Sequence, residues 1–327
     1  MKEKILILGA SSFAGYSFSQ YLLKKKNFKV YGTYASNRNK KILSYKKKDK
    51  LKLFKIDLKK HPEKLIKLVN QIKPQYIIDF ASVCMVNESW INPKYYFDTN
   101  FNSKIDLITK INSMNFLKKY IYIGTPEIFG SSEKQIDEYS KSFSPSTPYA
   151  ISKLNTEFLL DNYNNNKNPK SIIVRFSNFY GRHQPLYRLI PKVIYSIKSN
   201  TKFPLHGSGL SRRDFIYDED FNNGIYKVVK RGKVRKKYHF CTNKYYYIKD
   251  VIKLICKEFN YDFQKLVTKV ADRKGKDLNY YLSCKKTSKE LKWKPRYDLK
   301  SGLKKTIKFY VDNHLSFNKK NTEYENR

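Results

Sequence analysis

The sequence predicts an α/β fold, a doubly wound parallel sheet with a smaller α/β C-terminal lobe. Three observations carry this. Short apolar runs near residues 4–9, 28–33, 51–56, 76–80, 120–124 and 171–176 alternate with stretches of helical apolar spacing. The first run enters the turn Gly9-Ala10-Ser11-Ser12-Phe13-Ala14-Gly15, which opens a helix. Past residue 177 the alternation loosens, broken by Pro185, Pro191, Pro204, Gly207 and Gly209.

Each element has its own signal. Within Lys4 to Gly9, Ile5 to Leu8 is continuously apolar, as strands covered on both faces are. Phe13, Tyr16, Phe18, Tyr21 and Leu22 then fall at helical spacing toward Lys26. The third strand ends at Asp57, and Leu65 to Ile72 reads as a helix stopped by Pro74. Pro93 to Met114 reads as one long helix. Ser146-Thr147-Pro148 opens another that runs to about Asn162, with proline tolerated in its first turn. The expected division is 1–176 for the sheet domain and 177–327 for the second lobe, with part of 209–245 returning to the first. The tail after Asn313 is polar and expected to fray.

Composition narrows the function classes. A chain of 327 residues with 40% hydrophobic content can bury a real core. Its 28 tyrosines and 21 phenylalanines exclude global disorder. No apolar run approaches the ~20 residues of a membrane helix, and Met1 to Leu8 lacks signal-peptide anatomy, so a cytoplasmic protein without membrane partners is expected. Cys84, Cys241, Cys256 and Cys284 form no Cys-x-x-Cys pair. They read as small buried hydrophobes in a reducing compartment, and no metal is expected. The net charge is +39, from 56 lysines and 11 arginines against 28 acids. Nucleic-acid grooves favour arginine interleaved with stacking aromatics. Lysine is instead spread along the whole chain, which fits compositional drift and solvated basic faces, so no specific nucleic-acid partner is expected. Such a field still steers small anions.

Chemistry concentrates at four places. A glycine turn between strand and helix lets backbone approach a pyrophosphate, whose charge rests on the helix N-terminal amides. Gly9, Ser12, Phe13 and Gly15 are the candidates, with Ser12 standing where such turns usually carry glycine. After the second strand, Val30 to Ser36 contains no acid to bind ribose hydroxyls, and Arg38 follows. NADP is therefore allowed, with Arg38 facing its 2′-phosphate, while Asp57 is a candidate contact to adenine. Tyr149 and Lys153 form an i, i+4 pair on one helix face. A neighbouring ammonium favours phenolate, so Lys153 is expected to bring Tyr149 toward acid–base range. Thr125 ends the fifth strand, where open α/β sheets bind ligands.

Taken in order, these segments resemble the Rossmann-type extended short-chain dehydrogenase/reductases, the nucleotide-sugar epimerases and dehydratases. Within them the pattern is most similar to the dTDP-glucose 4,6-dehydratase type, from Ile5 to about Asn313. Three regions of the second half support this: Tyr180-Gly181 with Leu189-Ile190-Pro191, the run Gly207 to Asp220, and Ala271 to Asp277 followed by Leu291 to Pro295. The resemblance implies bound NAD, a nucleotide-sugar substrate and a homodimer built through the helices beginning near Pro93 and Tyr149. It implies that Thr125 bonds the sugar 4-hydroxyl, Tyr149 takes its proton, Lys153 holds ribose, and Glu127 removes the C5 proton. Ala81 and Asn100 would lie beside the cofactor. Asn178, Arg188 and Leu189 would line the substrate, and Arg213 and Arg273 would clamp its diphosphate.

The chain also departs from this pattern. Dehydratases of this type usually read Thr-Asp-Glu at the fifth strand's end, and here the sequence is Thr125-Pro126-Glu127. The aspartate is the expected acid for the departing C6 hydroxyl, and proline has no proton to donate. Tyr187 and Arg188 stand where Glu and Lys are usual, and Met85 where His is. His183 reads as a satisfied surface group. Dehydration is the leading expectation. Epimerisation, decarboxylation or 4-reduction on the same scaffold are its alternatives.

Overall fold

A computed structural model describes residues 2–36, 51–166, 168–272, 275 and 277–313. β1 (Glu3–Leu8) leads through Gly9 into α1 (Phe13–Leu23), which Ser12 caps by accepting the Gly15 N–H at 3.0 Å. β2 (Phe28–Tyr34), β3 (Leu51–Lys55), α2 (Pro62–Ile72) and β4 (Tyr76–Asp79) follow. The next helical stretch comprises α3 (Val86–Ile91), α4 (Pro93–Phe97), a π turn over Asp98–Asn102, and α5 (Ser103–Ile111). β5 (Lys119–Ile123), a 3₁₀ turn (Pro126–Phe129), β6 (Gln135–Ile136), α6 (Pro148–Asn164) and β7 (Ser171–Phe176) complete the first half.

The second half holds β8 (Asn178–Tyr180), α7 (Leu189–Lys198), β9 (Phe203–His206), β10 (Arg212–Tyr217) and α8 (Asp218–Arg231). It continues with β11 (Lys237–Phe240), β12 (Tyr245–Tyr247), α9 (Ile248–Glu258) and α10 (Phe263–Leu266). β13 (Val267–Val270), β14 (Tyr281–Leu282), α11 (Lys285–Leu291) and α12 (Leu299–Asp312) end the described chain.

Seven strands form one sheet in the order β11-β7-β5-β4-β1-β2-β3, every neighbouring pair parallel. The doubly wound α/β sheet expected from the alternating pattern is the observed fold. Side chains alternate along each strand, so β1 sends Ile5 and Ile7 to one face and Leu6 and Leu8 to the other. The first face packs on α1 and α8 through Phe18, Phe221 and Ile225. The second packs on α2, α5 and α6 through Leu65, Leu107, Ile108 and Leu160. Winding reverses between β1 and β4, which opens a crevice at their C-terminal ends.

The second lobe has its own core, with Val193, Ile194, Phe215, Val251, Ile252 and Leu303 at its centre. Its strands pair as β12-β10-β8, β9 with β13, and β6 with β14. The chain nevertheless crosses back, since β11 pairs with β7 as the sheet's outer strand.

One expected element is not continuous. The long helix read from Pro93 to Met114 begins earlier, breaks at Asn92, bulges at Asp98–Asn102 and ends at Ile111. A π turn frees a carbonyl from the helical ladder. The Asn100 carbonyl accepts instead from the Thr156 hydroxyl at 2.8 Å, which ties the bulge to α6. Among the described residues no helix is long and apolar enough to cross a membrane.

Candidate active site

The crevice is shaped by glycines where side chains have no room. Gly9 has φ +71°, and a Cβ there would lie 2.9 Å from the Ala81 backbone. A Cβ on Gly15 would lie 2.3 Å from the Gly9 carbonyl oxygen. The β1 turn, the β4 exit and the start of α1 thus meet without side chains between them, which fits a bound dinucleotide pyrophosphate. Gly32 adds to this packing, since its Cβ would meet the Ala10 methyl at 2.6 Å. Ser12 spends its oxygen on the helix cap. Phe13 turns its ring to the second lobe and stacks on Phe179 at 4.2 Å, so only its backbone faces the turn.

The remaining expected cofactor residues are placed less uniformly. Asp57 accepts from the Lys59 N–H at 3.0 Å and shapes the turn before α2. Asn100 is fully buried, with its amide spent: it accepts from Val83 N–H at 2.9 Å and donates to Val83 O and Ser152 Oγ, each at 3.0 Å. It braces the loop after β4 instead of offering a free contact. Arg38 lies outside the described residues. Sequence reading missed the neighbouring buried pair. The Lys104 ammonium donates to Asp79 Oδ1 at 3.0 Å and to Ala81 O at 2.7 Å, and the Tyr120 hydroxyl donates to Asp79 Oδ2 at 2.6 Å.

Tyr149 and Lys153 rise from the first turns of α6, which Thr147 caps by accepting from Ala150 N–H at 3.1 Å. Both side chains are buried. The Lys153 ammonium donates to Ser82 Oγ at 2.9 Å and Ile123 O at 2.7 Å, and lies 4.2 Å from the Tyr122 ring centre. Burial, then the charge of Lys104, lowers its pKa to about 7. Burial and then the charge of Glu127 push the Tyr149 phenol well above its ordinary value. A hydrogen bond with Thr125 and the Arg188 charge act in the opposite direction.

Thr125 caps the 3₁₀ turn at the end of β5, accepting from Glu127 N–H at 3.3 Å. Pro126 occupies the turn's first position, where a missing N–H costs nothing, and is buried. Glu127 is half-buried in the site. Its pKa is pushed up to about 7 by burial and then by Asp277, against the pull of Arg213 and Arg188.

The second lobe closes the site from across the crevice. Arg188 precedes α7 and donates to Cys84 Sγ at 2.7 Å. Cys84 is exposed, unlike the other three cysteines, which are buried as expected. Leu189 packs against the second-lobe core. Arg213 lies over the Tyr280 ring at 4.5 Å and donates to Leu278 O at 2.9 Å and Asp277 O at 2.7 Å. Asn178 accepts from the Tyr280 hydroxyl at 2.9 Å. His183 is held between the rings of Tyr16 and Phe309, at 5.0 and 4.5 Å. Arg273 lies outside the described residues.

Asp277, Tyr280, Ser131 and Ser146 were not singled out from sequence. Leu278 N–H donates to Ser131 Oγ at 2.9 Å, and Ser146 Oγ donates to Gly275 O at 3.2 Å, so Gly275 and Leu278 are stitched to the loops after β5. The place of Asp277 at the end of the run from Ala271 was readable. Its approach to Glu127, 150 positions away, was not.

Fold and site together define a dinucleotide-type α/β enzyme of the short-chain dehydrogenase/reductase class. Residues 6–306 match the profile of the family described as GDP-mannose 4,6 dehydratase, and the chain belongs to that family. It is 33% identical over 248 residues to the human dTDP-D-glucose 4,6-dehydratase, covering 74% of this chain and 70% of that protein. It is 26% identical over 344 residues to dTDP-glucose 4,6-dehydratase 1 of Escherichia coli K12, covering 95% and 93%. The fold matches the structure of Bacillus anthracis dTDP-glucose 4,6-dehydratase in complex with NAD, at TM-score 0.87, 24% identity and coverage of 97% and 99%. It also matches the UDP-glucose 4-epimerase of Thermotoga maritima with UDP-glucose, at TM-score 0.87, 21% identity and coverage of 95% and 99%.

Proposed function

We propose that this chain is a nucleotide-sugar 4,6-dehydratase converting a dTDP-glucose-like NDP-hexose into the NDP-4-keto-6-deoxyhexose. The observation that carries this is Glu127, a carboxyl poised near pH 7 in the same site as Tyr149. Exchanging hydride at C4 alone requires no such base, whereas removing the C5 proton does. Thr125 and Tyr149 hold the 4-hydroxyl and take its proton, and Glu127 then removes the proton that the 4-keto group acidifies at C5. Arg213 and Arg273 bind the diphosphate, with Arg188, Leu189 and Asn178 along the hexose.

Gly9, Gly15, Ala81, Ser12 and the α1 N-terminus hold the dinucleotide, and Lys153 its ribose. A nicotinamide dinucleotide bound there supplies a hydride acceptor for C4, positive charge beside the Tyr149 phenol, and the same hydride for C6. NAD is favoured, being named in the solved relatives' complexes, and the acid-free Ala35-Ser36 leaves NADP allowed. We read the protein as a cytoplasmic homodimer. Ile151 and Phe158 lie exposed on one face of α6, and Trp90 and Ile91 are exposed on α3, which packs against α6. Such an apolar face suits a helix-to-helix interface.

The test is incubation with dTDP-, UDP- and GDP-hexoses followed by mass spectrometry. A product lighter by one water is expected. Unchanged mass with altered stereochemistry, or no conversion, would overturn the dehydratase reading.

A further inference from the structure

Beside the crevice lies a buried ion pair that none of the steps above uses. Asp79 ends β4, where the winding of the sheet reverses, and Lys104 stands in the first turn of α5. Their side chains are 0% and 2% exposed. The Lys104 ammonium spans both carboxylate oxygens, Oδ1 at 3.0 Å and Oδ2 at 2.9 Å, and donates to Ala81 O at 2.7 Å. Asp79 Oδ1 also accepts from Ala81 N–H at 2.9 Å, and Oδ2 from the Tyr120 hydroxyl at 2.6 Å. The pair therefore closes on both polar groups of one residue. The Ala81 backbone is the wall that a Cβ on Gly9 would strike, at 2.9 Å. The two residues after it are held by other buried side chains. Ser82 Oγ accepts from the Lys153 ammonium at 2.9 Å, and Asn100 bonds Val83 N–H at 2.9 Å and Val83 O at 3.0 Å.

We propose that Asp79 and Lys104 are positioning residues for the bound dinucleotide, fixing the Ala81 peptide against the Gly9 turn and, with it, the loop on which Ser82 receives Lys153. Stability alone does not account for the pair. Stripping water from two charges offsets most of their attraction, and apolar side chains of similar volume often serve a core as well. What the pair supplies is an acceptor and a donor for a residue that the sheet no longer pairs. The ladder between β4 and β1 closes with the bond from Phe80 N–H to Leu8 O at 3.0 Å, and Ala81 is the first residue beyond it. Hydrogen bonds to charged groups are shorter and stronger than those between neutral ones, so the grip on Ala81 is firm from both sides. A shift of Ala81 would displace the Gly9 contact and the Ser82 hydroxyl together. One anchor thus sets both the pyrophosphate turn and the lysine that holds ribose.

This inference rests on the dinucleotide reading of the crevice, and the experiment separates the two. Release of NAD from the holoenzyme is followed by exchange against isotope-labelled NAD, and dTDP binding is measured by calorimetry on the same preparations. The variants are Lys104→Met, Asp79→Asn/Lys104→Met and Asp79→Asn/Lys104→Gln. Lys104→Met leaves a lone buried carboxylate, and where that prevents folding the Asn/Met variant, which has none, carries the test. Both Met variants are expected to release NAD about tenfold faster or more, the effect of losing a hydrogen bond from a charged donor. Their dTDP affinity should stay within about twofold of wild type, because that diphosphate is assigned to the second lobe. The Asn/Gln variant keeps an acceptor and a donor for Ala81 without the charges, and should release NAD within about threefold of the wild-type rate. NAD release unchanged in the Met variants would overturn the proposal. So would a loss of dTDP affinity equal to the loss of NAD, which would make the pair merely structural, or an Asn/Gln variant as leaky as Asn/Met. If wild type retains no nicotinamide dinucleotide, the cofactor reading itself fails.

Discussion

At the residue scale, three ionisable groups govern the site, and their states depend on one another. Tyr149 keeps its proton in the unliganded protein, because burial and the Glu127 charge both oppose phenolate. The base role proposed for it therefore requires positive charge brought in by ligands, with Thr125 and Arg188 assisting. Tyr149→Phe is expected to lower turnover by about 10²–10⁴-fold. The lost hydrogen bond to Thr125 should cost only about 0.5–1.5 kcal/mol of stability. Steady-state kinetics and a thermal melt on the same preparation check both. Activity within a few-fold of wild type would remove Tyr149 from the chemistry. The identity of this pair was legible, since Tyr-x-x-x-Lys on a helix after Thr125 has few other uses. The destination of the Lys153 ammonium was not. Ser82 and the Ile123 carbonyl compete for it, and both come from strand ends distant in sequence.

At the element scale, the site depends on how strands end. Thr125 caps a turn whose first residue is proline, which fixes Glu127 one position beyond it without needing a backbone donor. Gly9 ends β1 in a left-handed conformation against the Ala81 backbone. Gly9→Ala is expected to destabilise the fold by about 1–3 kcal/mol through φ strain and collision. Denaturant unfolding with and without NAD measures this, and an unchanged midpoint would contradict the close packing of the crevice. Gly9 and Gly15 were readable because a strand precedes them and a helix follows. The π turn at Asp98–Asn102 was not, and it is tied by a bond from Thr156 on another helix. Apolar periodicity reports which face of a helix is covered and is silent about such local tertiary ties.

At the scale of the whole molecule, the sheet and the second lobe each hold half of the site. The sheet supplies the crevice, Thr125, Glu127, Tyr149 and Lys153. The lobe supplies Arg188, Arg213, Asp277 and Tyr280, and Gly275, Asp277 and Leu278 are bonded back to Ser131 and Ser146. The sheet half was legible because its motifs are local. Half of the electrostatics of Glu127 was hidden, because Asp277 reaches it only through the closing of the lobe. The net charge of +39 is spread along the chain and attracts small anions without selecting among them.

In the proposed reaction oxidation at C4 is transient, and what leaves C4 returns to C6 of the same sugar. The most direct measurement uses dTDP-glucose carrying deuterium at C4, with the product read by NMR. The expected outcome is a 4-keto-6-deoxy product whose new methyl group carries that deuterium. Deuterium remaining at C4, or lost while the 6-hydroxyl is retained, would contradict it.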